Sequence, residues 1–263
     1  MLQKKKSLGQ HFLRSSYYLS LIADAASIVK NDVVLEVGPG DGALTHVLLA
    51  RGATVLAIEK DTRLIAPLRE KFLGKDFEVI EADALDFELP PKLKTGGYKL
   101  VGNIPYYITG ALLKKFLSAQ HQPATLVFLV QKEVAERIAR SSPSTSLRAR
   151  KESVLSLSVK AYGEPHYIKT VLRGAFSPPP GVDSAILLVE NISRANFKNA
   201  AHEKKFFEFV KTGFAHKRKL LASNLEMLLN KKHSKVLENF GISENARAED
   251  VPLEKWLALS LPD

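Results

Sequence analysis

The chain has no cysteine. That excludes disulfides, thiolate-held zinc, cysteine-ligated iron–sulfur clusters and a thiol nucleophile. Long hydrophobic runs are missing too. The longest, Ala124 to Val130, has seven residues, against the roughly 20 that a membrane-crossing helix needs. The opening residues, MLQKKKSLGQHFL, have the charge of a leader's first segment but no apolar stretch after it. The expectation is a cytoplasmic protein without membrane contact. The seven His include no H-E-x-x-H and no close pair at metal spacing, so no metal is expected. Acid is scarce beside base: 28 Asp and Glu against 38 Lys and Arg leave a net charge of +10. An excess of this size suits a polyanion, most simply nucleic acid.

What is present is enough for a real core. The 263 residues are 45% hydrophobic, sufficient for one large domain with an appendage, or for two. Apolar positions at Leu19, Ile22, Ala23, Ala26 and Val29 predict a helix over 16–29. VVLEVGPGDG then reads as a strand entering a glycine turn. ALTHVLLARG is a helix, TVLAIEKD a second strand, TRLIAPLREKFLG a helix and FEVIEADAL a third strand. YKLVGNIPYY is a fourth strand, TGALLKKFLS a helix, ATLVFLVQ a fifth strand and KEVAERIARS a helix. Strands alternating with helices predict a parallel sheet covered on both faces, with ligands at the carboxyl ends of the strands. A polar loop, SSPSTSLRARKES, precedes two β-like stretches, VLSLSVKAYG and SAILLVEN, joined by a Pro-rich turn. Beyond about residue 194 the chain is basic and helical in period, with EKKFFEFVKTGFAHKRKLLASNLEMLL reading as helix throughout. The expected domains are 1–194 and a small all-helical 195–263.

Three strand ends carry ligand chemistry. Gly38, Gly40 and Gly42 follow the first strand and open a helix, which lets backbone N–H groups approach a ligand. Gly38, Gly40 and Ala43 also satisfy the G-x-G-x-x-[GA] dinucleotide pattern, so a dehydrogenase stays open at this point. Glu59 ends the second strand, where an acid would accept hydrogen bonds from a ribose diol. Asp83 ends the third, where it would accept from an adenine amino group. Together the three favour an adenosine-containing cofactor.

The fourth strand ends in NIPY, residues 103–106. An aromatic amine is a weak nucleophile because its lone pair is delocalised into the ring. A site helps by accepting both N–H hydrogens on the side away from the electrophile. The Asn103 side-chain oxygen and the Ile104 carbonyl suit that task. Pro105 fixes the turn, and Tyr106 offers a flat ring for the base to stack on. Hydride transfer has no use for this arrangement.

NIPY resembles the N-[LI]-P-Y motif of adenine-N6 methyltransferases. LGQHFL, EVGPGDGALT, Glu59, DAL, GNIPYY, VQKEVAERI, FSPPPGVDSA and HKRKLLASNL follow in the order of one family, from residue 8 to beyond 225. By these the chain resembles the ribosomal small-subunit RNA adenine dimethyltransferases. The resemblance implies a Rossmann-like methyltransferase sheet with helices on both faces and a small helical C-terminal domain. It implies S-adenosyl-L-methionine as cofactor and dimethylation of N6 on two adjacent adenosines of a 3′-terminal hairpin. The implied partner is 16S ribosomal RNA in the small ribosomal subunit, with a role in the subunit's biogenesis, and nothing demands more than a monomer. Carried onto this sequence, His11 and Leu13 flank the cofactor. Gly38 and the loop through Gly40 hold its methionine part, Glu59 its ribose, and Asp83 with Ala84 its adenine; Asn103 stands at the methyl-transfer end. His11 replaces the family's frequent Asn and keeps a hydrogen-bonding ring. Gly181 replaces a frequent Lys. Phe176 is expected on the face of the flipped base opposite Tyr106. RNA contacts are expected from Lys4, Lys5, Lys6, Arg14, Arg148, Arg150, Lys151 and above all Lys217, Arg218 and Lys219. Two other readings share the fold: a large-subunit RNA adenine methyltransferase of the macrolide-resistance type, and a non-catalytic RNA-binding assembly factor.

Overall fold

Apolar runs closed by glycine or acid become strands, and amphipathic runs become helices. The computed structural model describes residues 11–90, 93, 97–139, 151–229 and 233–261. Its first elements are β1 (Phe12–Leu13), α1 (Ser16–Ala25), β2 (Val33–Val37), α2 (Ala43–Ala50), β3 (Thr54–Glu59) and α3 (Thr62–Lys71). These are followed by β4 (Phe77–Glu81), β5 (Tyr98–Asn103), α4 (Thr109–Leu117), β6 (Thr125–Gln131) and α5 (Lys132–Ala139). Next come α6 (Val154–Lys160), β7 (Glu164–Val171), β8 (Phe176–Ser177) and β9 (Ser184–Glu190). The remainder is α7 (Ala200–Gly213), α8 (Leu221–Leu225), α9 (His233–Asn239) and α10 (Leu253–Leu259).

A seven-stranded sheet has the order β4-β3-β2-β5-β6-β9-β7. The five strands from β4 to β6 are parallel, as the alternation predicts. β9 runs antiparallel to β6, and β7 antiparallel to β9, so the sheet is mixed at one edge. Val34, Val55, Val101 and Val127 join α1 and α2 in one buried cluster. The intervening Leu35, Leu56, Leu100 and Leu126 point to the other face and are buried as well. Strands apolar on both parities require cover on both faces.

This topology places the site. The chain steps outward from β2 to β3 and β4, then returns to lay β5 on the opposite side of β2. Such a reversal opens a crevice at the carboxyl ends of the two strands that part. Val37 and Gly102 are cross-strand partners, so the glycine loop and Asn103 leave the sheet side by side. Glycine is needed at 102 because a Cβ there would lie 2.8 Å from the Val37 carbonyl oxygen, a backbone atom that cannot step aside.

Three expectations change. VLSLSVK is helix α6, not strand: Ser153 caps it by accepting the Ser156 N–H at 3.1 Å, and Ser156 returns a bond to the Ser153 N–H. A reciprocal box of this kind outweighs an apolar–serine alternation that imitates a strand. The strand that pairs with β9 is β7, in the stretch expected to hold only a turn. The long C-terminal helix is broken: α7 ends at Gly213, a turn follows, and α8 begins at Leu221.

The chain divides into two units. Residues 1–136 and 164–192 form the unit with the sheet. Residues 137–163 and 193–263 form the other, whose described regular elements are all helices. The expected division at 194 falls beside the second crossing, but 137–163 groups with the helical unit rather than with the sheet. That unit has its own core around Trp256, which is fully buried and donates its indole N–H to the Val251 carbonyl at 3.0 Å. Phe214 stacks on it with ring centres 5.8 Å apart.

Candidate active site

The crevice holds a cavity of about 310 Å³, within the range of small-molecule pockets. Strand ends build its wall in order: the loop from Gly38 to Asp41, Glu59 with Lys60, Asp83 to Leu85, and Asn103 to Ile108, with His11 to Leu13 across them. His11, Leu13, Gly38, Gly40, Glu59, Asp83, Ala84, Asn103, Ile104, Pro105 and Tyr106 thus all reach one cavity.

The N-terminal segment is held by its own small sheet. Leu13 pairs with Phe176 and Phe12 with Ser177, and the Arg14 N–H donates to the Ala175 carbonyl at 2.9 Å. A His11 ring nitrogen meets the Pro178 carbonyl at 2.9 Å. The His11 carbonyl accepts Nδ2 of Asn103 at 2.8 Å. A carbonyl only accepts, so this bond fixes which end of the amide is which. The NH₂ end is anchored to the N-terminal segment, and Oδ1 remains an acceptor.

Phe176 is placed differently from expectation. Cross-strand partners project to the same side of a ladder. Phe176 therefore lies on the same side as Leu13 in the buried cluster with Leu19 and Ile186, but whereas Leu13 also reaches the cavity, Phe176 is absent from its wall. Tyr106 does line the cavity. Its hydroxyl meets Ser184 Oγ at 2.6 Å, and its ring lies near-parallel to His11 at 6.4 Å. Burial pushes the Tyr106 hydroxyl up from its ordinary value, so it stays a neutral partner of Ser184. Tyr107, beside it on the rim, is exposed.

Two acids lie under the glycine loop. Gly40 has φ +60°, and a Cβ there would fall 2.7 Å from the Phe12 ring, so glycine is required twice over. Its N–H donates to Glu59 Oε2 at 3.2 Å, and the Asp61 N–H donates to Glu59 Oε1 at 2.8 Å. Burial raises the Glu59 carboxyl, and these N–H groups pull it part of the way back. Glu36, which the sequence reading passed over, is almost fully buried. It accepts the Thr45 hydroxyl at 2.6 Å, and burial pushes its carboxyl up to about 7. The visible signal was an acid inside the apolar run VVLEV.

Glu36 gives a pH prediction. A carboxyl titrating near 7 when folded, against 4.5 when solvated, binds more protons in the folded state between those values. Stability is then greatest on the acid side of that window and falls as pH rises through it. Glu36→Gln keeps an acceptor for Thr45 and removes the charge. It is expected to stabilise the cofactor-free protein at about pH 8, by on the order of 1–3 kcal/mol, and to add little near pH 4.5. Thermal melts of both proteins at the two pH values check the sign.

Asp83 is bound twice. Oδ1 accepts the Leu85 N–H at 2.9 Å, and Oδ2 accepts Lys60 Nζ at 2.6 Å. The Lys60 bond comes first among the causes that hold the Asp83 carboxyl below its ordinary value. Lys115 steadies the same loop by donating to the carbonyls of Leu85 at 2.7 Å and Phe87 at 2.6 Å. Neither lysine was singled out in the sequence, because each reaches a strand or helix remote in the chain.

Lys217, Arg218 and Lys219 lie in the turn between α7 and α8. All three are exposed, and none forms an ion pair with the described residues. Lys151 pairs with Glu249 in the same unit, and Arg14 with Asp41. Arg148 and Arg150, like Lys4, Lys5 and Lys6, lie outside the described residues.

Comparison with known proteins places the chain in a family. The family model described as ribosomal RNA adenine dimethylase matches residues 1–261. A relative named ribosomal RNA small subunit methyltransferase A, from Dehalococcoides mccartyi (strain CBDB1), is 41% identical over 99% of this chain and 88% of its own. Among solved structures, a dimethyladenosine transferase from Plasmodium falciparum is 28% identical, with a TM-score of 0.78 over 95% of this chain and 96% of that one. A 23S rRNA methyltransferase, ErmE, is 29% identical, with a TM-score of 0.75 over 95% and 98%. With a match along nearly its whole length and the strand ends assembled as above, the chain belongs to the ribosomal RNA adenine dimethylase family.

Proposed function

We propose that this protein dimethylates N6 of two adjacent adenosines in the 3′-terminal hairpin of 16S ribosomal RNA, with S-adenosyl-L-methionine as methyl donor. The observation that carries the reading is Asn103, whose amide is anchored through Nδ2 with Oδ1 left as an acceptor, and which lines one cavity with the glycine loop and Glu59. Donors and acceptors along the wall suit the cofactor's parts. Gly38 and Gly40 let backbone come close to the methionine portion, and Glu59 offers carboxylate oxygens to the ribose diol. Asp83 with the Ala84 main chain takes the adenine, while His11 and Leu13 close the cavity. When bound, the cofactor supplies a methyl group activated by its sulfonium.

The protein's own contribution is positioning and fixed charge. Asn103 Oδ1 and the Ile104 carbonyl accept the target amine's two hydrogens. Pro105, with φ −58° and ψ 133°, sets the turn that presents that carbonyl. Tyr106, braced by Ser184, gives the flipped base a face to stack on. The amine becomes acidic only as it is alkylated, so no base acts before attack. The helical unit, with the turn holding Lys217, Arg218 and Lys219, is the proposed RNA-binding domain. The protein acts in the cytoplasm as a monomer and contributes to small-subunit assembly.

The resemblance to ErmE keeps a large-subunit target as the second reading. The two solved structures have nearly equal TM-scores, 0.78 and 0.75, so fold alone does not favour the dimethyladenosine transferase over the 23S rRNA methyltransferase. The small-subunit relative is the more similar in sequence, 41% against 29% identical, and this favours the small subunit. Calorimetry with S-adenosylhomocysteine tests the cofactor assignment. Glu59→Gln is expected to weaken binding about tenfold or more, the loss of a charge-assisted pair. Equal affinity in parent and variant would remove Glu59 from the ribose role.

A further inference from the structure

Asp83 is the acid proposed to take the cofactor's adenine, yet both of its oxygens are engaged. The Leu85 bond to Oδ1 is internal to the loop and fixes the carboxylate's direction. The Lys60 bond to Oδ2 joins the end of β3 to the end of β4. An amino group arriving at Oδ2 meets an ammonium on that same atom; the oxygen can accept twice, but two positively polarised groups crowded onto it repel each other. The Lys60 side chain is 60% exposed, and an exposed pair of this kind stabilises little and parts easily. A cofactor already seated on Glu59 and the glycine loop brings its adenine with the rest of the molecule anchored, so the adenine displaces the lysine.

Lys60 would then lose its bonded partner on the cavity wall, keeping the weaker attraction of Asp86 nearby. A base turned into this cavity to reach Asn103 carries its flanking phosphates to the mouth. Phosphate is the natural replacement for a lost carboxylate partner.

We propose that Lys60 couples the two substrates: Asp83 holds it in the cofactor-free protein, the cofactor's adenine releases it, and it then binds an RNA phosphate, so that cofactor tightens RNA binding. This rests on the cofactor reading above. By linkage the tightening is reciprocal.

The test is titration of a synthetic hairpin RNA carrying two adjacent loop adenosines into the full chain, with and without saturating S-adenosylhomocysteine. In the parent, S-adenosylhomocysteine is expected to tighten RNA binding about fivefold or more. It should also steepen the dependence of log affinity on log salt by about 0.7–0.9, one further phosphate contact. Lys60→Met should lose the tightening and the added slope, and Lys60→Arg should keep both. S-adenosylhomocysteine alone should bind Lys60→Met as tightly as the parent or more tightly, since a competitor for Asp83 has gone. Tightening that persists in Lys60→Met, or is absent from a parent that binds S-adenosylhomocysteine, overturns the coupling. So does weaker S-adenosylhomocysteine binding by Lys60→Met, which would make the lysine a cofactor ligand. Failure of the parent to bind S-adenosylhomocysteine at all overturns the cofactor reading, and the coupling falls with it.

Discussion

Asn103→Ala is expected to reduce methyl transfer by on the order of 10²–10³-fold or more, the scale of losing a preorganised polar group aimed at developing charge. Two features make this position sensitive. In the proposed mechanism Asn103 Oδ1 accepts a hydrogen of the attacking amine, so its loss would leave the nucleophile unaimed. Nδ2 anchors the N-terminal segment through the His11 carbonyl, so its loss also loosens one wall of the cavity. The first effect acts on turnover and the second on cofactor affinity. The variant should therefore bind S-adenosylhomocysteine more weakly but measurably, while single-turnover methylation collapses. Near-normal turnover would end the mechanism, whatever happened to affinity.

The second large effect lies in the helical unit. Replacing Lys217, Arg218 and Lys219 together with Ala is expected to weaken RNA binding roughly tenfold to a hundredfold at moderate salt. The slope of log affinity against log salt should flatten by about 2, near 0.7 for each of three lost phosphate contacts. These side chains are exposed and make no ion pair among the described residues, so their removal should leave the fold intact and act on binding alone. Far-ultraviolet circular dichroism and melting temperature serve as the control. A weaker complex with an unchanged salt slope would show that the turn contributes shape and not charge.

Much of this was legible because the informative residues punctuate the strands. β2 to β5 are runs rich in apolar and β-branched residues that stop at Gly38, Glu59, Glu81 and Asn103, so strand ends and ligand groups could be read together. Phe176 could not be placed this way. Whether a strand-end aromatic faces a cavity or a core depends on its pairing, and the pairing with Leu13 is set by a segment more than a hundred residues away. β7 was hidden by Pro165 and by its polar His166 and Lys169, which an edge strand tolerates. The break after Gly213 was hidden because apolar spacing continues across it. A Cβ at Gly213 would lie 2.4 Å from the Trp256 ring, so a contact distant in sequence requires the glycine that ends α7. Lys60 escaped notice for a similar reason, since its partner stands on the next strand of the sheet.

The proposed target is two adjacent adenosines of the small-subunit RNA, and the direct measurement is to locate the methyl groups. The purified protein is incubated with labelled S-adenosylmethionine and separated small and large ribosomal subunits lacking the modification, and the labelled nucleotides are mapped. The expected result is N6,N6-dimethyladenosine at two neighbouring positions in the 3′-terminal hairpin of the small-subunit RNA, with none in the large-subunit RNA. Label confined to the large-subunit RNA, or absent from both with an enzyme that binds S-adenosylhomocysteine, would contradict it.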